Sequence, residues 1–187
     1  MAIFSIYELF DLVIMILAVG YIFKDSFPMP VRHDYDPLLH RHNEWDTIKY
    51  SILLTAPAIA LHEMGHKFVA LSFGVPAVFH ASYEGLAIGV ILKLVSFPFI
   101  FFIPGFVSHT GVSAVQNIAI AFAGPGVNLL LWLGSAYLAK REKKEFTRGL
   151  YYLSSNINMF LFIFNMIPLP FTDGGHVFQS IMSLVLG

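Results

Sequence analysis

The chain consists of long apolar segments separated by short polar breaks. A helix that crosses a bilayer needs about 20 mostly apolar residues. Runs of about this length or more lie at 5–23, 48–73, 114–139 and 149–167. Only 12% of the residues are charged and 57% are hydrophobic, whereas an average soluble domain has about 25% charged residues. A soluble surface cannot be covered with so little charge, so the sequence predicts a polytopic membrane protein.

The same composition excludes several functional classes. A net charge of −1 argues against a nucleic-acid partner, which would require a basic surface. The absence of cysteine excludes disulfide scaffolds, thiolate zinc sites and cysteine nucleophiles. The run 5–23 lacks a basic start and a small-residue cleavage site, so we expect a retained helix rather than a signal peptide.

Two segments after the second run are not typical of spanning helices. Residues 75–85 are short, aromatic and β-branched, which favours a strand. Residues 86–107 are apolar but broken by Pro98, Pro104 and Gly105. We therefore predict an all-α polytopic membrane protein of about five to six transmembrane helices, with a short re-entrant or β-strand segment.

Two polar segments, 24–47 and 140–148, separate the apolar runs, and we expect both to be water-exposed loops. No internal repeat divides the chain, so residues 1–187 are predicted to form a single domain.

The motif His62-Glu63-Met64-Gly65-His66 lies inside the run 48–73. Positions i and i+4 of a helix share one face, so the two imidazoles can converge on one metal ion while Glu63 acts as a general base. A chance match within one helical turn is the competing interpretation. Ionisable residues inside an apolar run are costly, however, and three of them within five positions favour a zinc site.

A catalytic zinc site needs a third protein ligand. Asp173 follows an apolar run and a Pro-x-Pro break, which can turn a carboxylate inward. It is equally typical of an N-cap for a helix that begins at Gly174. His176, His80 and His109 are weaker candidates for the same position.

Three motifs in order resemble those of one known family. They are HEMGH at 62–66, AGPGVN at 123–128 and NMIPLPFTDGGH at 165–176. Together they resemble the site-2 protease family of intramembrane zinc metalloproteases, and the resemblance covers about residues 48–176. One departure is Thr172, where the family usually has an apolar residue before Asp-Gly.

This resemblance implies a role for each matching residue. It makes His62, His66 and Asp173 the ligands of one Zn²⁺ per chain and Glu63 the general base. It also points to Asn165 and Asn128 as residues that bind substrate or stabilise an oxyanion. Hydrogen bonding between helices is the alternative for both amides.

The implied function is an intramembrane zinc endopeptidase that cleaves membrane-anchored proteins within or near their transmembrane segment. Its partners would be a transmembrane protein substrate and the lipid bilayer, and its location the cell membrane, as a multi-pass protein. A strand at 75–85 could hold the unwound substrate by β-addition. The catalytic core would span about 48–176, without an evident PDZ domain.

Two other functions remain open from the residues. One is a membrane zincin of the CAAX-processing or heat-shock type, in which a glutamate on a later helix would be the third ligand. The later glutamates Glu84, Glu142 and Glu145 are all in segments that look like loops, which argues against this type. The other is non-enzymatic, a metal transporter or a membrane scaffold.

The zinc ligands also constrain how the chain is threaded. His62, His66 and Asp173 must lie at one membrane depth, so the helices that carry them should run in the same direction. The run 114–139 supplies the single crossing between them, and 86–107 should therefore not cross the bilayer.

Nine of the eleven Lys and Arg residues fall on the face of the two polar loops. The positive-inside rule makes that face cytoplasmic. The resemblance implies the opposite orientation.

Overall fold

The computed structural model describes residues 3–28, 43–98 and 102–186. Within these ranges the chain is mostly helical, which confirms the helical part of the predicted class, and it has one two-stranded sheet. Most of the predicted loop 24–47 lies outside the described residues. The elements are, in order, α1 (Ile6–Ile22), α2 (Glu44–Ser72), β1 (Ala77–Ala81), α3 (Tyr83–Leu94), β2 (Gly105–His109), α4 (Ala114–Arg141), α5 (Glu145–Asn165) and α6 (Asp173–Leu186).

Helices α2 and α5 each begin four residues before the apolar run that predicted them. The expected loop at 140–148 is therefore wrong in extent, because only residues 142–144 connect α4 to α5. The charges of this segment suit helix ends: Lys140 and Arg141 lie in the last turn of α4, and Glu145 lies in the first turn of α5. Each charge opposes the helix dipole at its position, which stabilises the longer helices.

The strand predicted within 75–85 is present as β1, and it pairs antiparallel with β2. The register places Ala81 opposite Gly105, and the Ser82 N–H donates to the Pro104 carbonyl over 3.1 Å. The start of β2 therefore lies beside the end of β1, at the same depth in the molecule. Between the strands, α3 has 12 residues, which span about 18 Å against a hydrocarbon core of about 30 Å. The expectation that 86–107 does not cross is consistent with this path.

By length and composition, one helix among the described residues could cross a membrane on its own, and this helix is α4. The predicted count of five to six spanning helices remains a prediction. Large apolar side chains are nevertheless exposed on several helices, including Phe10 on α1, Leu130 on α4 and Phe160 on α5.

A buried ion pair joins α1 to α2 and to the sheet. Glu8 accepts a hydrogen bond from the Lys67 ammonium, and both side chains are almost fully buried. The same carboxylate accepts from the Phe79 N–H of β1 at 2.8 Å and from the Ser5 N–H at the start of α1, also at 2.8 Å. Lys67 lies directly after His66, so this pair links the sheet to the helix that carries the metal motif.

We expect Lys67→Met to lower the free energy of unfolding by about 3–5 kcal/mol, because it leaves the Glu8 carboxylate buried without its cation. The double variant Glu8→Gln/Lys67→Met should recover most of this loss, since neither charge then remains. Chemical denaturation of the purified protein measures both effects. Lys49→Met is the matched control, because Lys49 is mostly exposed. A double variant as unstable as the single one would show that packing, not charge, is responsible.

Candidate metal centre

Three side chains from two helices converge at one point. His62 and His66 lie one turn apart on α2, and their Nε2 atoms are 3.1 Å apart. Asp173, the first residue of α6, places Oδ2 at 3.1 Å from His62 Nε2 and Oδ1 at 3.4 Å from His66 Nε2. These three residues form the one group of candidate metal ligands found in the described part of the chain.

The donor set fits a zinc ion. Zinc–nitrogen bonds of about 2.0–2.1 Å at tetrahedral angles separate neighbouring ligand atoms by about 3.3 Å. The observed separations of 3.1–3.4 Å match this spacing. Two imidazoles and one carboxylate are also a known ligand set of catalytic zinc sites, which leave a fourth position for water or substrate.

The second nitrogen of each imidazole is held by a protein oxygen. His62 Nδ1 lies 2.6 Å from Asn128 Oδ1, and His66 Nδ1 lies 2.7 Å from the Ile120 carbonyl. Because both oxygens accept, each Nδ1 donates, and each Nε2, which lies toward Asp173, is the nitrogen that can bind a metal ion. Such partners fix the tautomer and the orientation of metal-binding histidines.

Asn128 is itself held from two sides. Its Nδ2 donates to the Ala58 carbonyl over 3.1 Å and to Asn158 Oδ1 over 2.9 Å, which assigns the amide orientation. Asn158, on α5, in turn donates to the Ser154 carbonyl over 2.8 Å. Asn158 was not among the residues that the sequence motifs predicted for the site. The signal available in the sequence was an amide side chain within the apolar run 149–167, and the structure shows that Asn158 is buried.

Glycine allows α4 to approach the two histidines. A Cβ at Gly124 would lie 2.3 Å from His66 Nε2 and 2.7 Å from His62 Nε2. At Gly65, on α2, a Cβ would lie 2.9 Å from the Ala123 carbonyl oxygen. The space beside the two Nε2 atoms therefore exists because residue 124 has no side chain.

The three candidate ligands open onto a cavity of about 730 Å³. Glu63 lines it, and none of the described residues hydrogen-bonds its carboxylate. Asn165 also lines the cavity, whereas Asn128 lies behind His62 and is fully buried. Of the predicted site residues, the structure thus brings Glu63 and Asn165 to the cavity with the three ligands and places Asn128 outside it.

The weaker candidates for the third ligand lie elsewhere. His109 and His176 line the cavity but are not part of the ligand group. His80 belongs to the sheet, where its Nε2 lies 3.1 Å from the Ser108 hydroxyl. The glutamates proposed for the CAAX-type alternative, Glu84, Glu142 and Glu145, do not line the cavity.

One edge of the sheet also faces the cavity. The outer edge of β1 is closed by α1, because Glu8 accepts from the Phe79 N–H and Asp11 accepts from the Ala81 N–H. In an antiparallel pair, residues whose N–H points away from the partner lie opposite residues that also point away. Val107, opposite Phe79, therefore directs its N–H and carbonyl away from β1, and it lines the cavity.

The fold and the site define a helical protein with an H-E-x-x-H zinc centre, which is the arrangement of a zinc metalloprotease. The profile of Peptidase family M50 matches residues 134–187. A relative from Methanocaldococcus jannaschii, named as a zinc metalloprotease, is 33% identical over 183 residues, which cover 94% of this chain and 85% of the relative. The chain therefore belongs to the site-2 protease family of zinc metalloproteases, Peptidase family M50, and its metal is Zn²⁺.

A second relative, from Synechocystis, carries the same kind of name and is 29% identical over 154 residues. The match covers 81% of this chain but 36% of that protein, so this chain spans about a third of that relative. No solved structure matches the chain.

We expect Gly124→Ala to lose most of its bound zinc, because the new methyl group would occupy the space beside both Nε2 atoms. Zinc per purified chain, measured by elemental analysis, tests this. Gly134→Ala is the matched control on the same helix, since nothing lies within 4 Å of a Cβ there. A Gly124→Ala protein with one zinc per chain would contradict the position assigned to the metal.

Proposed function

We propose that this zinc metalloprotease is an intramembrane endopeptidase that cleaves membrane-anchored proteins within or near their transmembrane segment. The observation that carries the proposal is a buried, ionisable zinc centre inside a molecule with an apolar outer surface. Glu63 and the two histidines are nearly buried, while large apolar side chains are exposed on the helices around them. Ionisable groups in apolar surroundings are costly and mark functional sites.

The proposal includes a multi-pass arrangement in the membrane. Helix α2 has 29 residues, α4 has 28 and α5 has 21, and each exceeds the length of about 20 residues that a bilayer requires. Buried polar residues such as Asn128 and Asn158 suit such a bundle, because polar side chains that hydrogen-bond across helices favour their association in lipid. The site would then be reached from the cavity rather than from an exposed surface.

His62, His66 and Asp173 would hold the zinc ion, which, when bound, supplies a Lewis acid for a peptide carbonyl and makes water more acidic. Glu63 takes a proton from the attacking water and delivers it to the leaving amine as the peptide bond breaks. Its carboxylate is suited to this role because it lines the cavity and no described residue hydrogen-bonds it.

The two asparagines take different roles in this proposal. Asn165 ends α5 at the cavity, and its side-chain amide has no hydrogen-bond partner among the described residues, so it can donate to the substrate carbonyl as negative charge develops. Asn128 has all its polar atoms engaged by His62, Ala58 and Asn158, so it orients a ligand instead.

We expect Glu63→Gln to keep one zinc per chain and to lower cleavage by about 10²- to 10⁴-fold, because an amide cannot accept the proton of the attacking water. Cleavage of single-span membrane proteins by the purified enzyme, together with zinc content, tests this. Full activity of the Glu63→Gln protein would rule out Glu63 as the general base.

The open edge of β2 is the element that would hold the substrate. A helical carbonyl is already hydrogen-bonded, so the scissile segment must unwind, and its exposed backbone groups then need partners. Val107 directs one N–H and one carbonyl away from β1 and lines the cavity, and an extended peptide can add to such an edge. The sequence pointed to β1 for this role, but Glu8 and Asp11 occupy the outer edge of β1.

We expect Val107→Pro to raise the KM for a membrane-spanning substrate while zinc content stays unchanged, because proline removes the N–H that faces the cavity but no bond within the sheet. Val107→Ala is the control, since it shortens the same side chain and keeps the N–H. Equal KM values for Val107→Pro and Val107→Ala would argue against addition of the substrate to β2.

A further inference from the structure

Thr172 is a buried residue that the proposed reaction does not use. It stands directly before Asp173 in the chain. We propose that Thr172 is a positioning residue: its hydroxyl caps α6 and thereby leaves the Asp173 carboxylate free to bind zinc. This inference rests on the role of Asp173 as a zinc ligand, proposed above.

The main chain and the side chain of Thr172 both serve the start of α6. Its carbonyl accepts from the Gly175 N–H at 3.1 Å and from the His176 N–H at 3.2 Å, and its hydroxyl lies 3.3 Å from the Gly175 nitrogen. An N-cap residue accepts the first helical bonds with its carbonyl, and its side-chain oxygen accepts from the third helical residue. Thr172 therefore has the contacts of the N-cap, and Asp173 is the first residue inside the helix.

The same hydroxyl also holds the turn that precedes the helix. It accepts from the Leu169 N–H at 3.2 Å and donates toward the Ile167 carbonyl. The turn is packed tightly against the helix start: a Cβ at Gly174 would lie 2.5 Å from the Met166 carbonyl oxygen, and one at Gly175 would lie 1.7 Å from that of Leu169. Thr172 thus connects the turn 166–172 to the first turn of α6.

Asp173 would face two competing demands without this hydroxyl. Aspartate is among the strongest N-cap residues, so a start of α6 shifted by one residue would let its carboxylate bond to the helix N–H groups. The carboxylate oxygens would then leave His62 and His66, which they now approach to 3.1 and 3.4 Å. Because Thr172 supplies the capping oxygen, both oxygens of Asp173 remain directed at the histidines.

The test compares Thr172→Val, which has nearly the same shape without the hydroxyl, with Thr172→Ser, which keeps it. Zinc affinity of the full-length purified protein, measured by competition with a chromogenic chelator, should fall about 10- to 100-fold in Thr172→Val and stay close to the parent value in Thr172→Ser. If Thr172→Val does not fold, Thr172→Ala removes the hydroxyl without placing a methyl group against the carbonyls. Unchanged affinity in a folded variant without the hydroxyl would overturn the inference.

A double variant shows whether Thr172 acts through Asp173. If it does, Thr172→Val should cost no further zinc affinity in the Asp173→Ala background. An equal loss in both backgrounds would mean that Thr172 acts independently of the ligand, and the inference would be wrong. If Asp173→Ala alone left the affinity unchanged, the ligand assignment itself would fail, an outcome distinct from the failure of the capping role.

Discussion

The position of the Asp173 carboxylate between two imidazoles is the constraint on which the rest of the structure depends. It requires the start of α6 to meet the middle of α2, and it leaves room for only a bare backbone where α4 passes at Gly124. A bound cation stabilises a carboxylate and two imidazoles that converge at one point largely out of water. The geometry that a zinc ion needs and the packing of α2, α4 and α6 therefore depend on each other.

The interior of the molecule is polar where an ordinary core would be apolar. A chain of hydrogen bonds runs from His62 through Asn128 to Asn158, and it crosses from α2 to α4 to α5. On the other side of the zinc motif, Lys67 leads to Glu8 and to the backbone of β1. In surroundings without water every such group must find a partner inside the protein, so the polar residues that orient the ligands also fix how the helices are arranged.

Sequence patterns correctly predicted the features that depend on residues close together in the chain. Apolar runs located α1 and α4 within two residues, and the H-E-x-x-H spacing identified the pair His62 and His66. Local spacing could not decide whether Asp173 binds metal or caps a helix, because both roles use the same residue type after a proline break. It also missed β2 and the role of Glu8, since strand pairing and a buried ion pair 59 residues apart in sequence are not local.

The two outer edges of the small sheet differ: the edge of β1 is covered by α1, whereas the edge of β2 lines the cavity. Glu8 and Asp11 are three residues apart on α1, so they share one helix face and can meet alternate N–H groups of β1, at Phe79 and Ala81. A helix thereby closes the edge that an extended peptide could otherwise occupy away from the zinc ligands. None of the described residues hydrogen-bonds the outer backbone edge of β2, and this strand lines the same cavity as Glu63. In the proposed reaction, an unwound peptide that pairs with this sheet would therefore be directed to the edge beside Glu63 and the candidate zinc ligands.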